Sequence, residues 1–157
     1  MAKIHSYDLQ LSWTGNRGAG TYEYTAYDRK FTLSAINKPD ILGSADPAFR
    51  GNKDRYNPEE LLISSIASCH MLWYLHLAAA NNLVVMDYKD HPSGTIEVKE
   101  FGLGRFIEVT LRPTVTINNE DQSDLAVKLH EESHQKCIIA DSFKFDIHIK
   151  PQIIIEK

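Results

Sequence analysis

The chain has 157 residues, 43% hydrophobic and 24% charged, with a net charge of −4. That fits one soluble globular domain, residues 1–157, able to bury a core without disulfides or a structural metal, and it gives no general electrostatic pull toward nucleic acid or an anionic membrane. Its two cysteines, Cys69 and Cys137, are too few for a disulfide scaffold or a four-cysteine zinc site, and leave open either two inert core thiols or one working pair.

The start of the chain has no basic region leading into an apolar run, so it does not read as a signal peptide. The expected compartment is the cytoplasm, where two cysteines rest as thiols. Tyr7 to Trp13 alternates apolar and polar residues, the period of a half-buried strand. Thr14 to Gly20 holds three glycines and reads as a turn. Thr21–Tyr27 and Lys30–Ala35 are expected as two more strands, and the segment from Asn37 to Tyr56, with two prolines and two glycines, as a long loop.

A helix start is then well marked. Asn57 suits an N-cap, Pro58 the first helical position, and Glu60 completes a capping box. The helix is expected to run to Ala80 and stop at Asn81-Asn82. From Leu61 to Met86 there is no Asp, Glu, Lys or Arg, enough length to cross a bilayer. The interspersed Ser64, Ser65, Ser68, His70, His76, Asn81 and Asn82 favour a buried central helix over a membrane span. Strands are expected at Leu83–Lys89, Gly94–Lys99 and Arg105–Ile117. A second helix opens at Asn118-Asn119, with Glu120, Asp121 and Asp124 near its positive end, and closes near Cys137 or Ile138. A last strand covers Lys144–Ile155, at an edge or bent at Pro151. The order β-β-β-α-β-β-β-α-β describes an α+β domain with largely antiparallel sheets.

Periodicity places both cysteines inward. Leu125, Leu129, Ser133 and Cys137 share a face of the second helix, and Leu62, Ser65, Ile66, Cys69, Leu72 and Trp73 share one of the first. Periodicity does not say whether the two thiols meet. Glu59 precedes Cys69 by ten residues, a rise of roughly 15 Å along a helix. A carboxylate from Glu59 acting on Cys69 would therefore come most simply from a second subunit. His130 and His134, in His-Glu-Glu-Ser-His, formally match a zinc-chelating spacing. His148 is the only later histidine, no third ligand is obvious, and no metal site is expected.

Asn57-Pro58-Glu59-Glu60-Leu61, a small-residue helix leading into Ala67-Ser68-Cys69, and a second cysteine some seventy residues on together resemble the central motif of the osmotically induced and organic hydroperoxide resistance proteins, the OsmC/Ohr family. Trp13-Thr14-Gly15 and Arg17-Gly18-Ala19-Gly20-Thr21 look like that family's first hairpin. The resemblance implies an intertwined homodimer with two central helices inside, sheets outside and active sites at the interface. It implies thiol-dependent reduction of organic hydroperoxides with no bound cofactor and an external dithiol as reductant. Carried over, Cys69 is the attacking cysteine and Cys137 the resolving one, while Glu59 and an arginine complete the site. Arg50 stands where the osmotically induced branch carries its arginine, and Arg17 where the hydroperoxide resistance branch does; Arg50 is favoured. The sequence departs from the pattern in two places: Ile138-Ile139 follows Cys137 where proline is usual, and His70 follows Cys69 where an aromatic is frequent. Adjacent helical residues point about 100° apart, so His70 is expected as a packed or interface histidine and not as the base for Cys69. The alternative to an enzyme is a dimer of the same fold that binds a small apolar molecule or a protein partner, with idle thiols.

Overall fold

The computed structural model describes residues 2–156; Met1 and Lys157, the ends of the expected span, lie outside the described residues. The chain forms two compact units, residues 1–61 and 62–157, and its elements together make it α+β.

In the first unit, β1 (Gln10–Trp13), β2 (Phe31–Ser34) and β3 (Ile41–Gly43) make an antiparallel sheet in the order β1-β2-β3. Two expectations change here. Thr21–Tyr27 is not a strand but a series of turns. The Asn16 side chain accepts from the Gly18 and Gly20 amides at 2.8 and 3.0 Å. Both glycines sit at positive φ, where only glycine is free of strain. Arg17 donates to the carbonyls of Thr25 and Ala26, and Arg29 to those of Tyr24 and Tyr27. Side chains thus take up backbone groups that a strand ladder would have used. The long loop, in turn, hides β3. Its remainder is ordered around Asp46, whose side chain accepts from Ala48 N at 2.7 Å and caps a 3₁₀ turn, Pro47–Phe49.

The long helix α1 (Pro58–Ala80) begins as expected. Asn57 Oδ1 accepts from Glu60 N at 2.8 Å and Glu60 Oε2 from Asn57 N at 3.0 Å, a reciprocal box that satisfies two orphan donors of the helix end. At the other end Asn82 takes φ 55° and Leu83 N donates to Ala78 O at 2.9 Å, a left-handed stop in which asparagine replaces the usual glycine.

In the second unit, β4 (Val85–Lys89), β7 (Thr114–Ile117) and β9 (Gln152–Ile155) form one sheet in the order β4-β7-β9. β5 (Ser93–Val98), β6 (Gly104–Leu111) and β8 (Asp146–Ile149) form another in the order β5-β6-β8. The expected strands Arg105–Ile117 and Lys144–Ile155 are therefore each two strands, divided at Arg112-Pro113 and Lys150-Pro151. A proline cannot donate to a ladder, and at these two points the chain leaves one sheet for the other. The divided strands run side by side and parallel, β6 with β8 and β7 with β9. Lys150 N to Leu111 O at 3.0 Å and Gln152 N to Pro113 O at 2.8 Å bridge the crossing. The remaining pairs are antiparallel.

The helices are α1, α2 (Ser123–Lys136) and the one-turn α3 (Ile138–Asp141), which the sequence reading did not separate. Two apolar clusters result. Tyr74, Leu77 and Ala78 pack with Leu83, Val115, Ile117, Ala126 and Leu129. Ile66 packs with Val109 and Leu111, flanked by Phe143, Phe145 and Ile147. Each buried Leu, Ile or Val side chain among these contributes roughly 1.5–3 kcal/mol relative to exposure. Although α1 is long and apolar enough to cross a membrane by length and composition, here it is buried along one stripe, Ile66, His70, Tyr74, Leu77 and Ala78. It is not enclosed all round, as the expectation of a buried helix had it, since Leu72 is 62% exposed.

Candidate active site

The stripe of α1 next to the buried one carries Cys69. Ser65, Cys69, Leu72, Trp73 and His76 lie about one turn apart or less and, with Ile138 and Ile139 of α3, line an open groove of about 540 Å³. Cys69 is half-buried in it. Two serine hydroxyls of this stretch turn back on the helix, Ser65 Oγ donating to Leu62 O at 2.7 Å and Ser68 Oγ to Ser65 O at 3.2 Å, so the walls present mainly carbon. At the rim, Lys136 Nζ stands 5.8 Å from the centre of the Trp73 ring and pairs with Glu132 at 3.7 Å. Ile66, expected among the apolar neighbours of Cys69, faces the core instead and is 1% exposed.

Cys137 sits where α2 breaks. Its φ and ψ, −74° and 97°, are extended, and its sulfur caps α3 by accepting from Ala140 N at 3.4 Å. The break needs no proline after the cysteine: Cys137 itself leaves the helix, which frees Ile138 and Ile139 to form a wall of the groove. Cys137 is 1% exposed and its thiol lies near enough to Cys69 to feel it electrostatically. Burial, with Cys69 nearby adding to it, pushes the Cys137 thiol up to about 11 against the pull of the Ala140 and Ile139 amides. The two cysteines, far apart in sequence, are free thiols that come near each other.

Next to Cys69, His70 points into the core. Its Nε2 lies 3.0 Å from His130 Nδ1, and the face of Tyr74 stacks on His130 with ring centres 4.0 Å apart. Tyr74 Oη donates to Ala126 O at 3.1 Å. His70–His130 and Tyr74–Ala126 form a polar ladder between the antiparallel helices α1 and α2, with the Cys69 and Cys137 thiols near its end. Desolvation lowers His70 to about 4, assisted by the charge of His134, and His130 to about 3, assisted by His70. At neutral pH the pair is uncharged, and one ring donates while the other accepts. His130 is therefore engaged with His70, and no group of three or more His, Cys, Asp or Glu able to hold a metal occurs among the described residues.

The other expected site residues lie in the first unit. Arg17 is exposed and held by its own hairpin, through the Thr25 and Ala26 carbonyls and Asp28 at 3.8 Å. Arg50 is exposed at φ 65°, just after the Pro47–Phe49 turn, with its guanidinium 5.8 Å from the Tyr24 ring centre. Glu59 is half-buried on the first turn of α1, and its Oε2 is buried without a hydrogen-bond partner. Arg55, which the sequence reading passed over, has a buried Nη1 in the same condition. Buried polar atoms are normally paired, so Glu59 and Arg55 both have unused bonding capacity.

Residues 51–152 match the family described as OsmC-like protein. The chain is 23% identical over 154 residues to the uncharacterized protein YmaD of Bacillus subtilis, covering 96% of this chain and 93% of that protein. It superposes with a TM-score of 0.82 on an OsmC-like protein of unknown function from Vibrio cholerae, at 25% identity, covering 96% of this chain and all of that one. An organic hydroperoxide resistance protein from Elizabethkingia anophelis shares the fold with a TM-score of 0.66 at 16% identity, covering 98% of this chain and all of that one.

Proposed function

The chain belongs to the OsmC-like protein family, and from that premise we propose that it is a thiol-dependent peroxidase that reduces organic hydroperoxides to alcohols. One observation carries the reading: Cys69 opens into an apolar groove while a second, buried thiol stands near it. A thiolate at Cys69 attacks the O–O bond, the alcohol leaves, and Cys69 becomes a sulfenic acid. Cys137 condenses with it, releasing water and forming a disulfide. An external dithiol then restores both thiols by exchange, so no bound cofactor is needed. The carbon-lined walls favour an alkyl or aryl peroxide over hydrogen peroxide, because a small polar molecule gains nothing from them.

The proposal includes a homodimer in the cytoplasm, acting without nucleic acid or membrane. α1 runs unbroken through Glu59 and Cys69, so a partner's copy of α1 is the simplest source of a carboxylate for the thiol site. An arginine, Arg50 before Arg17, would then favour the thiolate and steady the leaving oxygen while Glu59 holds it by a two-pronged pair. Purified protein supplied with dithiothreitol and cumene hydroperoxide should consume the peroxide, and Cys69→Ser should abolish consumption. Equal rates with and without Cys69 would overturn the reading. Sedimentation should give twice the mass of one chain; a monomer would remove the shared site.

A further inference from the structure

The seam between α1 and α2 holds one polar pair that the proposed chemistry does not use. His70 Nε2 and His130 Nδ1 lie 3.0 Å apart, with the two rings nearly parallel at 9°. The outer nitrogens, His70 Nδ1 and His130 Nε2, are buried without a partner. We propose that this pair is an acid-operated latch: it holds α2 to α1 while both rings are neutral, and an added proton parts the seam and uncovers the thiol of Cys137.

In the neutral pair one ring donates and the other accepts at the inner nitrogens. Whichever ring donates, one outer nitrogen then carries a hydrogen and the other is bare. A further proton must settle on the bare one, which is buried and meets no acceptor. A buried charge without a partner is strongly unfavourable. The surroundings offer no relief. Tyr74 of α1 lies face-on to His130, and Tyr88 of β4 stands 6.5 Å from His130 by ring centres, its own hydroxyl buried and unpartnered. His134 of α2 opposes a proton on His70 by its own charge. Asp90, just past β4, acts on Tyr88 and accepts from Arg112 N at 2.7 Å through its Oδ1. Among the described residues the one histidine in an ion pair is His148, with Glu108. Burial accordingly keeps the two rings neutral down to about 4 and about 3. Once uncovered, each takes up a proton near 6.5, so acid favours the open seam over the closed one.

Cys137 reports the opening. Ala126, His130, Ser133 and Cys137 follow one another at helical spacing and are all buried, a single stripe whose Ala126 and His130 meet α1. Ile138 and Ile139 follow directly and wall the groove at Cys69, so the latch puts that groove under pH control. Its test reads thiol exposure and not turnover, and so stands or falls apart from the peroxidase reading.

Cys69→Ser leaves Cys137 as the only thiol. Its reaction with 4,4′-dithiodipyridine is followed from pH 8 to pH 5. Each rate is compared with that of the same chain unfolded in urea at the same pH, which gives a protection factor free of thiol ionisation. Each histidine that opening frees should favour the open seam by roughly 30-fold at pH 5. Protection should therefore fall by about 100- to 1000-fold across the range, with the helical circular dichroism retained. His130→Gln, which still hydrogen-bonds but does not titrate, should limit the fall to about 30-fold. Equal protection at pH 8 and pH 5 would overturn the latch with no histidine variant needed. So would a fall that His130→Gln leaves unaltered. A fall that comes only with loss of the helical signal is unfolding of the whole chain and overturns it as well.

Discussion

Cys69 and His70 are consecutive residues on one helix, yet they look onto opposite kinds of surroundings. The Cys69 side is apolar and open, with Leu72 62% exposed and Trp73 and Ile139 half-buried around a groove. The His70 side is polar and closed, with His70 1% and His130 2% exposed. At these two positions the usual distribution, carbon inside and polar groups at the surface, is reversed, although Ile66, Leu77 and Ala78 on the buried stripe follow it. An open apolar face costs solvation unless a substrate or a partner covers it. A buried polar pair costs desolvation unless its geometry is well met. The contrast separates an open face, which the proposed chemistry would use, from a closed one that ties α1 to α2 through His70–His130 and Tyr74–Ala126.

The largest effect should come from the reactive side. Cys69→Ser should reduce turnover with dithiothreitol and an alkyl hydroperoxide by more than about 10³-fold, with the circular dichroism spectrum unchanged because Cys69 is not part of the core. A variant retaining a tenth of the activity would place the chemistry elsewhere.

The closed side should answer to acid. A histidine whose folded value is depressed binds fewer protons folded than unfolded, so its contribution is complete above the unfolded value of 6.5 and is lost as pH falls toward about 4 for His70 and about 3 for His130. Urea denaturation at pH 7 and at pH 5 should differ by on the order of 2–4 kcal/mol. His130→Gln, which can hydrogen-bond but does not titrate, should remove about half of that slope. A slope unaltered by this change would show that other groups set the acid sensitivity.

Two smaller effects sharpen the contrast. Tyr74→Phe deletes the hydroxyl that donates to Ala126 O and should cost about 1 kcal/mol in stability, leaving the first turnover with peroxide unaffected. Leu72→Ala should do the reverse, raising KM for a bulky peroxide a few-fold, about 1 kcal/mol of lost apolar contact, with the melting temperature of the single chain's fold nearly unmoved. If Leu72→Ala instead dissociates a dimer in sedimentation, the groove is a subunit interface before it is a substrate site.

The helix boundaries were the most legible part of the chain. Asn57, Pro58 and Glu60 announce the start of α1, and Asn81-Asn82 its stop, because capping works through side chains and amides within three or four residues. Leu129, Ser133 and Cys137 pointed inward as their spacing predicts. The turns from Thr21 to Tyr27 were misread as a strand because the Arg17 and Arg29 side chains that occupy their carbonyls act across five to nine residues, outside any local pattern. The divisions at Pro113 and Pro151 were half legible: proline announced a bend at one, but that both mark a change of sheet depends on pairing with distant strands.

For the site, the sequence alone determined which helix carries Cys69, how far Glu59 stands from it along that helix, and that Cys137 closes the next one, since each is a matter of neighbours in the chain. Tertiary structure decided the rest: which stripe of a helix apolar on nearly every side is buried, that Cys137 comes near Cys69, and that His70 finds His130. A helix with few charges offers no periodic contrast to say which face turns inward, and a meeting between α1 and α2 is set by the packing of Tyr74, Leu77, Ala126 and Leu129, residues brought together only when the two helices close on β7.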